Sequence, residues 1–298
     1  MAVLMTMAWT PRLHADALQE AEAAWVKRSQ PGERQRAITL WQQALKDQPQ
    51  RTEIYTTLAK AASSAYRHAT DGKEKKRWAD MALQYGKEAT EKNPNSAEAY
   101  ARYGEALGQW AQANKGLQGL RRVKDAVAAL EKAIAIDPKH SFAHMLLSEF
   151  FREAPASVSV GDKVKALEQA KLAVETGPGI PINHLALAKA YRANGQNEAA
   201  IAELQKILTL SVQTPEGKID QDKARALLKE MGAADTAAAP AAAQTCSDSS
   251  ECPGTCIADK SVAAGHSTSG TCTSEPVSSN SCQNQVLHGK AQGSTCKE

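Results

Sequence analysis

Six cysteines and two histidines are the side chains whose types and spacing could do chemistry. The cysteines, Cys246, Cys252, Cys256, Cys272, Cys282 and Cys296, all lie in the last 53 residues of a 298-residue chain, spaced Cys-x5-Cys-x3-Cys-x15-Cys-x9-Cys-x13-Cys. Structural zinc sites favour pairs two to four residues apart, closed by a second close pair, and only Cys252 and Cys256 meet that rule. Residues 245–298 contain no Phe, Tyr or Trp, so burial of apolar surface cannot order them. An even cysteine count in such a segment reads as three disulfides, each contributing about 2–4 kcal/mol. Six cysteines permit fifteen pairings, among which the spacing does not choose. Oxidised cysteines imply a periplasmic or otherwise extracytoplasmic location.

His144 and His184 occupy equivalent inward positions of successive helical units, so a metal-ligand pair is conceivable. The simpler reading is packing: each imidazole fills an aromatic-sized slot with a ring nitrogen hydrogen-bonded. No carboxylate partner is placed beside them by the sequence. Nor does the chain contain a phosphate-binding glycine loop, a HExxH helix, a GxSxG elbow or a Cys-His nucleophile pair. No catalytic residue, metal site or cofactor is expected, and the function classes left are binding and assembly.

The elements that position these side chains are helical hairpins. In Pro181 to Thr214, His184, Leu187, Ala188 and Tyr191 share one helical face, Ala193-Asn194-Gly195 makes a turn, and Ala200, Leu204 and Ile207 form a second apolar face. The second-helix pattern, with a proline beyond it, recurs at Ala37, Trp41, Ala44, Pro49; at Ala82, Gly86, Ala89, Pro94; at Ala126, Leu130, Ala133, Pro138; and at Ala166, Ala170, Ala173, Pro178. A proline just past a helix end suits the connection to the next helix, which is expected about three residues on. A last segment, Asp220 to Met231, has Ala224, Leu227 and Leu228 inside and charges outside, the polar-backed cap that repeat arrays need.

Three hairpins are longer than the Pro181 unit. The gap from Ala62 to Ala82 exceeds its counterpart by eleven residues, that from Leu107 to Ala126 by ten, and that from Phe151 to Ala166 by six. Such insertions sit on one edge of a solenoid.

Tyr100-x2-Tyr103-Gly104-x2-Leu107, completed by Ala126-x3-Leu130 and Pro138, resembles the tetratricopeptide pattern. The implied fold class is all-α: a right-handed superhelix of about five hairpins, with a small disulfide-rich segment at the C-terminal end. The long segment Gly108 to Lys124, the KAIAIDPKH join and the GDKxKALE start after a Pro-Ala-Ser loop are similar to the T component of TRAP transporters. They also resemble the regulator-of-microtubule-dynamics family. That resemblance implies a cell-envelope protein that associates with itself and with a solute-binding partner protein.

In tetratricopeptide arrays the residues flanking the inward set of each first helix face the concave groove. By that resemblance the partner-binding candidates are Phe142, Met145, Glu149 and Arg152 with Leu185, Lys189 and Arg192, preceded by Glu53, Thr56 and Lys60 and by Glu98, Ala101 and Glu105. An apolar pair beside three cations suits an extended peptide, or a ligand with an apolar body and an acidic end. The alternative is that the charges are simply solvated and Phe142 and Met145 pack under an insertion.

Lys plus Arg number 36 against 33 Asp plus Glu, interleaved along the helices, without the clustered basic face that nucleic-acid binding needs. Residues 1–15 combine a short apolar run with Pro11 and Ala15 and read as the end of a secretory signal peptide, with an apolar capping helix as the alternative. That run is too short to span a bilayer. The expected organisation is residues 1–15, a repeat domain over 16–231, an Ala/Pro linker over 232–244 and a Cys-rich module over 245–298.

Overall fold

In the computed structural model, the described residues are 12–114, 116–156, 159–234, 244–246, 255–258 and 270–273. They divide into a repeat unit ending at Asp235 and a second unit from Thr236 on.

Helices pair in sequence order in the repeat unit. The hairpins are α1 (Arg12–Val26) with α2 (Glu33–Asp47), α3 (Thr52–His68) with α4 (Gly72–Lys92), α5 (Ala97–Ala113) with α6 (Leu117–Ile136), α7 (Ser141–Glu153) with α8 (Lys163–Thr176), and α9 (Pro181–Ala193) with α10 (Asn197–Thr209). A final helix, α11 (Pro215–Glu230), packs on α9 and α10. It begins five residues before the segment expected from its apolar pattern, because Pro215 is tolerated in the first turn and Thr214 caps the Gly217 amide at 3.1 Å. First helices α3, α5, α7, α9 and α11 follow one another along the inner side, where α3 meets α5, α5 meets α7, α7 meets α9 and α9 meets α11.

Each of Pro49, Pro94, Pro138 and Pro178 stands three residues ahead of the next first helix, as the spacing requires. Local caps fix several starts: Ser96 accepts from the Ala99 amide at 3.2 Å, and Asp162 accepts from the amides of Val164 and Lys165, both at 3.0 Å.

The extra length is used in two ways. In the second and third hairpins it becomes helix: α3 and α4 run 17 and 21 residues, and α5 and α6 run 17 and 20, against 13 each for α9 and α10. In the fourth hairpin α7 and α8 stay at 13 and 14 residues, and the added residues form a connection that folds back, with the Asp162 amide donating to the Phe151 carbonyl at 2.7 Å.

The core is built largely from alanine, with Ile38, Leu58, Leu107, Leu130, Leu204, Ile207 and Leu228 as fully buried larger side chains. Small residues set the spacing between helices. A Cβ on Gly104 would lie 2.7 Å from Leu130 Cγ, so at this point the missing side chain makes room for Leu130 of α6.

The second unit shows three short strands, β1 (Gln244–Cys246), β2 (Thr255–Ala258) and β3 (Gly270–Thr273), antiparallel in the order β1-β3-β2. Their register sets Cys256 directly opposite Cys272. Cys252, Cys282 and Cys296 lie outside the described residues, as do residues 1–11 of the N-terminal segment. Among the described residues no helix is long and apolar enough to cross a membrane.

Candidate functional site

The inner helices enclose a cavity of about 550 Å³. That size falls in the range of small-molecule and cofactor sites. Its walls come from α1, α3, α5, α7 and α11, with Ile182 added from α9.

Beside the cavity an ion pair joins the two ends of the array. Arg28, just after α1, donates from Nε to Glu216 Oε1 at 2.9 Å and from Nη2 to Glu216 Oε2 at 2.5 Å. The same guanidinium lies 4.9 Å from the Trp25 ring centroid and donates to the Trp25 carbonyl at 3.0 Å, contacts from its own end of the array that help orient it toward Glu216. Burial pushes the Glu216 carboxyl up, but the Arg28 hydrogen bonds and charge more than offset this and hold it at about 2.

A second charged layer lines the wall between α3 and α5. Arg102 bonds Glu98 at 2.8 Å and Glu105 at 3.0 Å, and its guanidinium lies 4.0 Å from the Phe142 ring centroid. Arg67 pairs with Glu105 from α3, and His140 Nε2 meets Glu98 Oε2 at 3.0 Å. Burial alone would raise the Glu98 carboxyl; the His140 hydrogen bond and Arg102 bring it to about 2. Arg102 shows the converse: burial disfavours its charge, and Glu105 and Glu98 more than restore it.

Further round, Glu149 faces Lys189 at 3.8 Å and Asp220 accepts from Lys223 at 3.0 Å. In both carboxyls burial dominates and raises the pKa against the pull of the lysine.

Of the groove candidates, Phe142, Met145 and Glu149 line the cavity, joined by Lys60 and Glu105. Arg152 turns to Glu153 at 2.7 Å, and Leu185 is taken into the core between α9, α10 and α11. Lys189 is engaged by Glu149, and Arg192 reaches Glu230 of α11 at 2.5 Å. Glu98 pairs with Arg102 outside the lining, Ala101 is fully buried, and Glu53 pairs with Arg51. Sequence reasoning missed Trp25, Arg28, Glu216 and Ile219, because they come from the two ends of the array and meet only after the superhelix has turned. The one available signal was the Asp220-x2-Lys223 spacing on a helix whose pattern suggests only a cap.

Neither inward histidine faces the cavity. His144 Nδ1 meets Gln169 Oε1 at 2.7 Å and Nε2 meets the Pro138 carbonyl at 3.0 Å; His184 Nδ1 meets Glu203 Oε2 at 2.5 Å and Nε2 meets the Pro178 carbonyl at 2.7 Å. Tyr55 uses the same slot in α3, donating to the Pro49 carbonyl at 3.3 Å. In α3, α7 and α9 the residue at this position tethers the preceding loop by the carbonyl of its proline. Among the described residues no three metal-ligating side chains converge.

A family model described as regulator of microtubule dynamics protein 1-3 matches residues 17–232. Among solved structures, a thermophilic TPR protein of Thermus thermophilus is 20% identical, covers 72% of this chain and 99% of its own, and superposes with a TM-score of 0.56. The type IV pilus biogenesis factor PilW is 18% identical over 76% of this chain and 90% of its own, with a TM-score of 0.50. These likenesses identify the fold as a tetratricopeptide-like helical repeat. No curated protein matches by sequence.

Proposed function

The chain belongs to the regulator of microtubule dynamics protein 1-3 family, and from that premise we propose that it is a non-enzymatic binding scaffold holding its occupant in the inner cavity. The observation that carries this reading is the inner cavity itself. First helices line a partly open cavity beside the Arg28–Glu216 pair, with charged layers and an apolar wall converging on it. The fold class is one whose concave surface commonly binds protein segments.

In its finer form the proposal is a role like that of the T component of TRAP transporters. The chain sits in the cell envelope, engages a solute-binding protein and receives the ligand that this partner carries. Envelope location is supported by the apolar N-terminal segment and by six cysteines confined to a segment with no aromatic residue, which we read as three disulfides. Six titratable thiols, counted under denaturing conditions in protein from the native host, would overturn the location.

The role is tested by using the full chain as bait on the host's envelope fraction. Retention of a solute-binding protein supports it. Recovery of nothing but further copies of the chain would replace it with a self-assembling structural role.

A further inference from the structure

In the second unit the antiparallel register brings two of the six cysteines together and keeps a third away from both. β2 and β3 set Thr255 opposite Thr273, Cys256 opposite Cys272 and Ile257 opposite Thr271. β-branched residues therefore stand on both strands on either side of the cysteines, the composition that strand pairing favours.

Backbone geometry turns that register into a choice. Directly opposed residues of an antiparallel pair have Cα atoms about 4.5 or about 5.5 Å apart, according to their place in the hydrogen-bond pattern. Both values fall inside the range of about 4.4–6.8 Å that a disulfide spans. β1 runs on the other side of β3, with Gln244 opposite Cys272 and Cys246 opposite Gly270. Cys246 is thus diagonal to Cys272, about 8 Å away between Cα atoms by strand rise and spacing. Beyond about 7 Å no bridge forms without backbone movement. Cys246 and Cys256 are separated by the whole of β3, at about 12 Å on the same spacing.

We propose that Cys256 and Cys272 form a disulfide joining β2 to β3. Strands of three and four residues, in a segment with no aromatic side chain, have little apolar surface to bury, and a covalent link supplies what burial does not. The remaining four cysteines then allow three connectivities in place of fifteen, in each of which Cys246 bonds Cys252, Cys282 or Cys296. The bridge also takes Cys256 out of the one close-spaced pair, with Cys252, on which a structural zinc site would depend. It forms by exchange with a disulfide-bearing oxidant, a small molecule or an oxidoreductase. One thiolate attacks the oxidant's disulfide, the second displaces the mixed disulfide, and the two protons and two electrons lost by the protein thiols end on the oxidant's two thiols.

This inference rests on the oxidised reading of the tail, and the experiment separates the two. Full-length protein from the native host is denatured without reductant, its free thiols are labelled with N-ethylmaleimide and counted by intact mass, and the labelled positions are located by peptide fragmentation. Wild type is expected to carry no label. Cys256→Ser should gain one label, at Cys272, Cys272→Ser one label, at Cys256, and the double variant none. Two labels on the double variant with none on wild type would mean that each cysteine bonds a different partner, which overturns the pair and leaves the oxidised tail standing. Six labels on wild type overturn the oxidised reading and the pair with it. Fragmentation of unreduced wild-type peptides reads the Cys256–Cys272 link directly, so the test does not depend on the variants folding; a link from either cysteine to another position overturns the pair.

Discussion

Arg28 and Glu216 stand 188 residues apart in the chain and form a two-pronged ion pair, with heavy-atom distances of 2.9 and 2.5 Å. No other side-chain contact in the repeat unit spans so much sequence among the described hydrogen bonds. It links the first hairpin to the last helix across the cavity, so its removal should change shape more than stability.

Glu216→Gln should enlarge the radius of gyration measured by small-angle X-ray scattering while leaving helix content intact. The pair is partly open to solvent, at 12% and 31% side-chain exposure, so its contribution to stability is about 1 kcal/mol after screening. Glu216 has a depressed carboxyl pKa of about 2 against an ordinary 4.5. The stability difference between wild type and Glu216→Gln is therefore fully present above pH 4.5 and fades as the pH falls toward 2. Denaturation curves at several pH values check the sign.

Arg102 holds two carboxylates that burial disfavours. Arg102→Met leaves Glu105, only 5% exposed, with Arg67 as its remaining charged partner, and should cost about 3 kcal/mol by urea denaturation. Adding Glu105→Gln to that variant should recover part of the loss, because the stranded charge goes with it.

Gly104 lies inside α5, where alanine would ordinarily gain about 1 kcal/mol through helix propensity. Here the added Cβ would meet Leu130 Cγ at 2.7 Å and Leu130 Cδ2 at 2.9 Å. Gly104→Ala should therefore destabilise, by about 1–3 kcal/mol, as overpacking does. A raised thermal midpoint would show that the helices separate more easily than the structure implies.

His144 is a packing and tethering residue in this structure. His144→Ala should cost about 2–4 kcal/mol, from a cavity and two lost hydrogen bonds. His144→Tyr should cost no more than half as much, since Tyr55 fills the equivalent position of α3 and reaches its own proline carbonyl. Thermal melts of the two variants side by side decide this.

Much of the repeat unit was legible because its rules are local. Four prolines each announce a helix three residues later, the Ala37, Trp41, Ala44 pattern falls within α2, and the small residues mark the close approaches. The fate of the extra length was less legible: periodicity does not say whether ten residues extend two helices, as in α5 and α6, or fold into a loop, as after α7. The chamber was least legible. Its closure is the accumulated result of every hairpin rotation, and Phe142, Met145 and Glu149 could be placed on the inner face while Arg28 and Glu216 could not be paired. Leu185 and Arg192 follow the groove pattern in sequence, yet α11 docks over that end and draws one into the core and the other onto Glu230.

The central claim is that binding takes place inside the chamber. Its most direct test is the affinity of whichever envelope protein the full-chain bait retains for three forms of the full chain: wild type, Ile219→Trp on the cavity wall, and Val164→Trp at the start of α8, where the native side chain is 74% exposed. The account predicts a loss of tenfold or more for Ile219→Trp and no change for Val164→Trp. Equal binding by wild type and Ile219→Trp, or a loss confined to Val164→Trp, would contradict it.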